Sequence, residues 1–187
     1  MYDKAPMVER ILSTADRLFY QRGIRAVGVD AIASEAGISK RSLYDYFPSK
    51  DALVAAYLER RFRPHPPSDA PPETQILAVF DRLERMFESG EFRGCPFINA
   101  VTELGDTCRA AREIAARFKE ERRTWFRDML VRMGVADPEA LATQLALLVD
   151  GAITVMLVRE DPAVARAARE AARVLMQAAE RNVAAEA

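Results

Sequence analysis

Five of the ten prolines in this 187-residue chain fall within ten consecutive residues, RPHPPSDAPP, from Arg63 to Pro72. Proline has no amide hydrogen to donate and disfavours helical geometry in the residue before it, so neither a helix nor a central strand persists there. The segment separates residues 1–62 from residues 73–187. On both sides apolar residues recur at helical spacing, without β-type alternation or internal repeat. The expected fold is all-α: a small N-terminal domain at 1–62 and a larger C-terminal one at 73–187, with about nine helices in total.

The first helix is the clearest. Val8, Ile11, Leu12, Ala15, Leu18 and Phe19 follow the i, i+3, i+4 rule, Glu9, Arg10, Asp16 and Arg17 lie opposite, and Gly23 ends it. A short helix over about 29–36 buries Ile32, Ala33 and Ala36. The turn Ala36-Gly37-Ile38 leads to Ser39, placed to cap a third helix over 40–47. Pro48-Ser49-Lys50-Asp51 opens a fourth, with Leu53, Val54, Tyr57 and Leu58 inward. Beyond the prolines, helices are expected at about 73–89, 97–105, 109–133, 138–159 and 162–184.

Composition removes several function classes. Lys+Arg 27 against Asp+Glu 28 leaves a net charge of −1, so a nucleic-acid partner has to be read from local charge. The single histidine, His65, lies among the prolines, which argues against a histidine metal site and against Ser-His or Cys-His catalysis. There is no phosphate-cradling glycine loop and no carboxylate–metal spacing. No catalytic residue, metal or cofactor is expected, and the chain does not read as an enzyme. Cys95 and Cys108 have neither a zinc spacing nor a disulfide framework and suit a reducing cytosol. The first ten residues, MYDKAPMVER, lack the apolar core of a signal peptide. The longest apolar run, residues 145–158, is interrupted by Asp150 and falls short of the roughly 20 residues a membrane span needs. It reads as a buried helix of a cytoplasmic protein with no membrane partner.

Two short helices joined by a glycine turn and packed against a third describe a helix-turn-helix. Gly37 permits a backbone that a Cβ would penalise, and Ile32, Ala33, Ile38, Leu43 and Phe47 fasten the helices together. One face of the third helix then stays free: Lys40, Arg41, Ser42, Asp45 and Tyr46. An α-helix fits the major groove of B-DNA, where such side chains reach base edges and flanking phosphates. Residues 22–50 carry five basic against three acidic groups, a net of +2. That excess alone would equally suit a solvated helix face; the glycine turn and Tyr44-x-x-Phe47 are what raise the reading above it.

The stretch GIRAVGVDAIASEAGISKRSLYDYFPSKDALV resembles the DNA-binding segment of TetR-type transcriptional repressors. The resemblance rests on Ile32-Ala33, Ala36-Gly37-Ile38-Ser39, Leu43-Tyr44, Phe47, and Ser49-Lys50 with Leu53. It implies that Tyr44 and Lys50 contact DNA phosphate, and that Lys40, Arg41, Ser42, Asp45 and Tyr46 make base and nearby backbone contacts. Ser39 matches as well, either as a contact or only as a cap. Gly28 stands where the family usually carries a threonine whose hydroxyl faces phosphate, leaving a backbone contact or none. Arg41 replaces a common glycine and is placed either on a guanine edge or on phosphate.

A palindromic operator is read by a two-fold dimer. Leu141, Leu145, Leu148, Ala152 and Met156 form one stripe, with Ala142, Ala146 and Gly151 allowing close approach; Val164, Ala168, Ala171, Leu175, Ala178 and Asn182 form another. In the resembled family the last two helices build a dimeric four-helix bundle, so a homodimer is expected. Phe80, Leu83, Met86 and Phe87 are expected to face Ile114, Phe118, Trp125 and Met129 around a partly hydrophobic small-molecule effector, although aromatic stripes at this spacing also serve as plain core. The Gly94-Cys95-Pro96-Phe97 corner resembles a subgroup of the same family. Cys95 at a helix start is either a redox or electrophile sensor or a small packing residue. Phe97 lies beside it; Asn99, Thr102 and Glu103 add polar groups that could orient a ligand, and Asp150 meets a cationic effector, pairs with an arginine or lies at the bundle edge. The implied function is a ligand-responsive repressor released from its operator by a small molecule, with a thiol switch at Cys95 as the alternative.

Overall fold

The structure, a computed structural model, describes residues 5–186, with side chains as far as Ala179. Among the described residues there are nine α-helices, one 3-10 turn and no strand. They are α1 (Ala5–Arg22), α2 (Val29–Glu35), α3 (Lys40–Tyr46), α4 (Lys50–Arg61), α5 (Pro72–Glu88), α6 (Pro96–Leu104), α7 (Arg109–Arg132), α8 (Pro138–Arg159) and α9 (Ala163–Glu186). The proline segment carries no helix between Phe62 and Pro71, and Pro72 opens α5 at a position where its missing N–H costs nothing.

Packing divides the chain into two units. The first comprises residues 1–63 and 95–118, so α6 and the start of α7 belong with α1–α4 although they follow the prolines in sequence. Its core is built from one face of each helix: Ile11, Ala15, Leu18 and Phe19 of α1, Ile32 and Ala33 of α2, Leu43 of α3, and Leu53, Val54, Tyr57 and Leu58 of α4 are all buried. Phe19 meets Tyr57 edge-on at 5.5 Å, a favoured aromatic geometry. Phe97 of α6 stacks on Phe118 of α7 at 3.9 Å, and Phe62 closes on both rings edge-on. Arg61 reaches back to Asp16 with both arms of its guanidinium and lies 4.2 Å over the Tyr20 ring, tying α4 to α1.

The second unit comprises residues 64–94 and 119–187, in which α9 packs along α5 and α8. Ala165, Ala168, Ala172 and Met176 form the inner face of α9. Two charge pairs join the outer edges of α9 and α5, Arg169 to Asp81 at 2.8 Å and Arg166 to Glu84. Asn182, counted in the second stripe of the sequence pattern, lies outside the described side chains.

Three sequence expectations change here. At 22 residues α8 is long and apolar enough to cross a membrane by length and composition, so the length argument against a span does not hold. Instead Leu141, Leu145, Val149, Ala152 and Ile153 are buried on the inner side of α8, which packs against α9 and α5, and Asp150 is held in ion pairs. Most of the stripe assigned to self-association therefore faces the chain's own core. The outward apolar set is Leu147, Val155, Leu157 and Val158. Met86, expected to face inward, is exposed.

Candidate functional site

The turn between α2 and α3 is set by its hydrogen bonds. The Ile38 amide donates to the Ala33 carbonyl at 3.0 Å and the Gly37 amide to Ser34 at 3.1 Å, the paired bonds of a Schellman ending. That ending needs a left-handed residue, and Gly37 supplies it with φ +66. Ser39 then starts α3: its Oγ accepts from the Ser42 amide at 3.0 Å and lies 2.9 Å from the Ser42 hydroxyl. Of the two roles left open for Ser39, the cap is visible directly.

With Leu43 and Phe47 buried, α3 turns Lys40, Arg41, Tyr44 and Asp45 outward. Arg41 makes no hydrogen bond or ion pair among the described residues. Lys40 donates to Asp30 at 3.0 Å, and this hydrogen bond, with the carboxylate charge, raises the lysine pKa. Ser42, Asp45 and Tyr46 line a surface depression of about 390 Å³ with Met7 and Ile38. Gly28 is the N-cap of α2, in extended conformation and without any side-chain cap. Lys50 differs from the rest: it opens α4, is part-buried, and donates to the Ile24 carbonyl at 2.6 Å. Burial pushes its pKa down, opposed by the nearby Glu103 and Asp51 carboxylates.

The ten residues considered for an effector are split between the units. Cys95, Phe97, Asn99, Thr102 and Phe118 belong to the first, and Phe80, Phe87, Trp125, Met129 and Asp150 to the second. Phe80, Phe87, Phe97, Cys95 and Met129 are buried, and Phe87 packs on Phe92 at 4.7 Å. Asp150 is engaged by Lys119 and, at 3.3 Å, by Arg122, so the arginine-pairing alternative describes it. Cys95 is the N-cap of α6, and both it and Cys108 are free and buried.

Two contacts escaped sequence reasoning. Glu103, grouped with ligand-orienting side chains, accepts from the Arg25 backbone amide at 2.9 Å, a contact 78 residues distant in the chain with no local signal. His65 is held despite its proline-rich surroundings, stacked on Trp125 and bonded to Arg82. Those partners are an indole and a guanidinium, neither of which is a nucleophile or a carboxylate.

Comparisons with known proteins agree with this geometry. Residues 11–57 match the model of bacterial regulatory proteins of the tetR family, and residues 72–173 match that of the LmrA/YxaF-like transcriptional regulator C-terminal domain. The crystal structure of the TetR-type regulator sav143 from Streptomyces avermitilis is 35% identical, with TM-score 0.83, over 93% of this chain and 98% of that one. The HTH-type transcriptional regulator Rv1255c of Mycobacterium tuberculosis is 47% identical over 55 residues, 29% of this chain and about a quarter (27%) of that protein's length. The HTH-type transcriptional repressor NemR of Escherichia coli is 28% identical over 121 residues, 58% of this chain and 61% of NemR. This chain belongs to the TetR family of bacterial transcriptional regulators.

Proposed function

We propose that this protein is a cytoplasmic, homodimeric repressor that holds a palindromic DNA operator through α3 and leaves it when a small, partly hydrophobic molecule binds the helices beyond the prolines. The observation that carries this reading is the outward face of α3, where Lys40, Arg41, Tyr44 and Asp45 stand exposed on a helix fixed by a Schellman turn and a serine cap. A short rigid helix with such a face matches the major groove in width and chemistry. Ser39, Ser42 and Tyr46 flank it, and Gly28 offers a backbone amide at the start of α2.

Repression is favoured over activation by the similarity to NemR, a repressor by name. Dimerisation is favoured by the outward apolar residues of α8, Leu147, Val155 and Val158, which share one helical face with Gly151. An effector shifts the equilibrium only if it binds the DNA-incompetent conformer more tightly. The buried position of Cys95 favours packing over the thiol-switch alternative.

A gel-shift series on the DNA upstream of the gene, with each operator position substituted in turn, tests the reading. Arg41→Ala is expected to relax preference at one position, by about 1–3 kcal/mol if the guanidinium grips a guanine edge. Equal loss on every duplex would place Arg41 on phosphate. Absence of any shifted complex with the unaltered protein would end the DNA-binding reading.

A further inference from the structure

The loop that feeds the helix-turn-helix is gripped by two side chains from distant helices, and both hold the same peptide group. Lys50, the first residue of α4, donates its ammonium to the Ile24 carbonyl at 2.6 Å. Glu103, near the end of α6, accepts from the Arg25 amide at 2.9 Å. The Ile24 carbonyl and the Arg25 N–H are the two ends of one peptide plane. The bond is trans, so they point in opposite directions and the two charged groups approach from opposite sides.

A cation on the carbonyl and an anion on the amide both act along the peptide dipole, and both hydrogen bonds are charge-assisted. Together they oppose rotation of the plane, which fixes ψ of Ile24 and φ of Arg25. Buried Ile24 and Val27 anchor the same loop from within, and α2 begins two residues after Val27. Gly23 completes the arrangement. Its φ is +88, which disfavours any side chain, and a Cβ there would stand 3.0 Å from a Glu103 carboxylate oxygen, so the carboxylate would have to shift from its place beside Arg25.

We propose that Lys50 and Glu103 are positioning residues for DNA recognition: they clamp the Ile24–Arg25 peptide, fixing how α2 and α3 are presented, and Lys50 acts through that peptide and not by neutralising a phosphate. This rests on the DNA-binding reading above. It also gives α6 a defined link to the reading head, because Glu103 is its penultimate residue and α6 packs on α4.

The test uses the full chain and its upstream operator duplex across a range of salt. Each phosphate neutralised contributes about 0.9 to the slope of log affinity against log salt. Lys50→Met is expected to lower affinity about tenfold or more with the wild-type slope retained, and Glu103→Ala to do the same. Glu103→Gln, whose amide oxygen still accepts from Arg25, is expected to stay within a few fold of wild type. Hydrogen exchange supplies a readout independent of DNA: the Arg25 amide should exchange at least tenfold faster in Glu103→Ala, with α5, α8 and α9 unchanged. A slope reduced by about one in Lys50→Met makes that lysine a phosphate contact and overturns the proposal. So does Glu103→Ala with unchanged affinity or unchanged Arg25 exchange. Failure of the wild-type protein to bind any duplex removes the underlying reading as well, whereas wild-type binding with unaltered variants removes only the clamp.

Discussion

The imidazole of His65 lies flat on the indole of Trp125, with ring centroids 3.8 Å apart and planes 10° from parallel. Its Nδ1 lies 3.2 Å from the Arg82 guanidinium, which can only donate, so the ring is neutral and carries its proton on Nε2. Burial first, then the charges of Arg82 and Arg122, push its pKa down from 6.5 to about 4. Between those values the unfolded chain takes up a proton that the folded chain refuses. The contribution is therefore complete above about pH 6.5, declines as pH falls towards 4 and is flat below. Trp125 is the only tryptophan, so its emission reports this ring directly. A quenching midpoint near pH 4 is expected, and one near 6.5 would show that the stack does not hold the imidazole.

Gly28 is not required by its geometry. Its φ is −80, and nothing lies within 4 Å of the place a Cβ would occupy. A threonine hydroxyl there can accept an unused amide of the first turn of α2, and the unfolded chain loses freedom relative to glycine. Gly28→Thr is expected to stabilise the fold by about 0.5–1 kcal/mol in urea titration. Operator binding should tighten as the hydroxyl gains a phosphate. Loss of stability would mean that α2 does not begin at an open, extended Gly28.

Asp150 interrupts the most apolar helix and is held by Lys119 and Arg122 of α7, the arginine side chain being only 14% exposed. Removing the carboxylate takes away the anion that Lys119 and Arg122 share in a half-buried setting. Asp150→Leu is expected to lower unfolding free energy by about 1–3 kcal/mol, despite its better match to the surrounding sequence. A midpoint at or above wild type would show that the triad only breaks even against apolar packing.

The outward face of α8 carries Leu147 and Val158, 65% and 81% exposed and eleven residues apart, hence on the same side of the helix. Leu147→Glu with Val158→Glu adds two charges to that face without touching the inner one. Light scattering should show the mass fall from dimer to monomer, with helical content kept. Operator affinity should drop by more than tenfold as one half-site is lost. A variant that stays dimeric would place self-association elsewhere.

Local chemistry made the reading head legible. Gly37, Ser39 and Ser49 each answer a demand imposed within four residues, a left-handed turn or an unpaired amide, and each does what its type and position imply. The helices after the prolines were legible as helices because proline, glycine and apolar spacing mark their ends. Their faces were less so. In α8 nearly every side is apolar, so periodicity picked out the stripe of Leu141, Leu145 and Ala152 but not whether that stripe or the side carrying Leu147 turns to the chain's own core. The return of α6 to the first unit, and with it the Glu103 contact, depends on packing between segments 78 residues apart, for which a single sequence carries no signal.

Two copies of this chain are expected to read one duplex through α3. Sedimentation of the protein on a labelled duplex from its own promoter, at low and at physiological salt, is the decisive measurement. The expected species contains two chains per palindromic site, with affinity that falls steeply as salt rises and exceeds that for a scrambled duplex at least a thousandfold. A monomer, or equal affinity for both duplexes at every salt concentration, would contradict it.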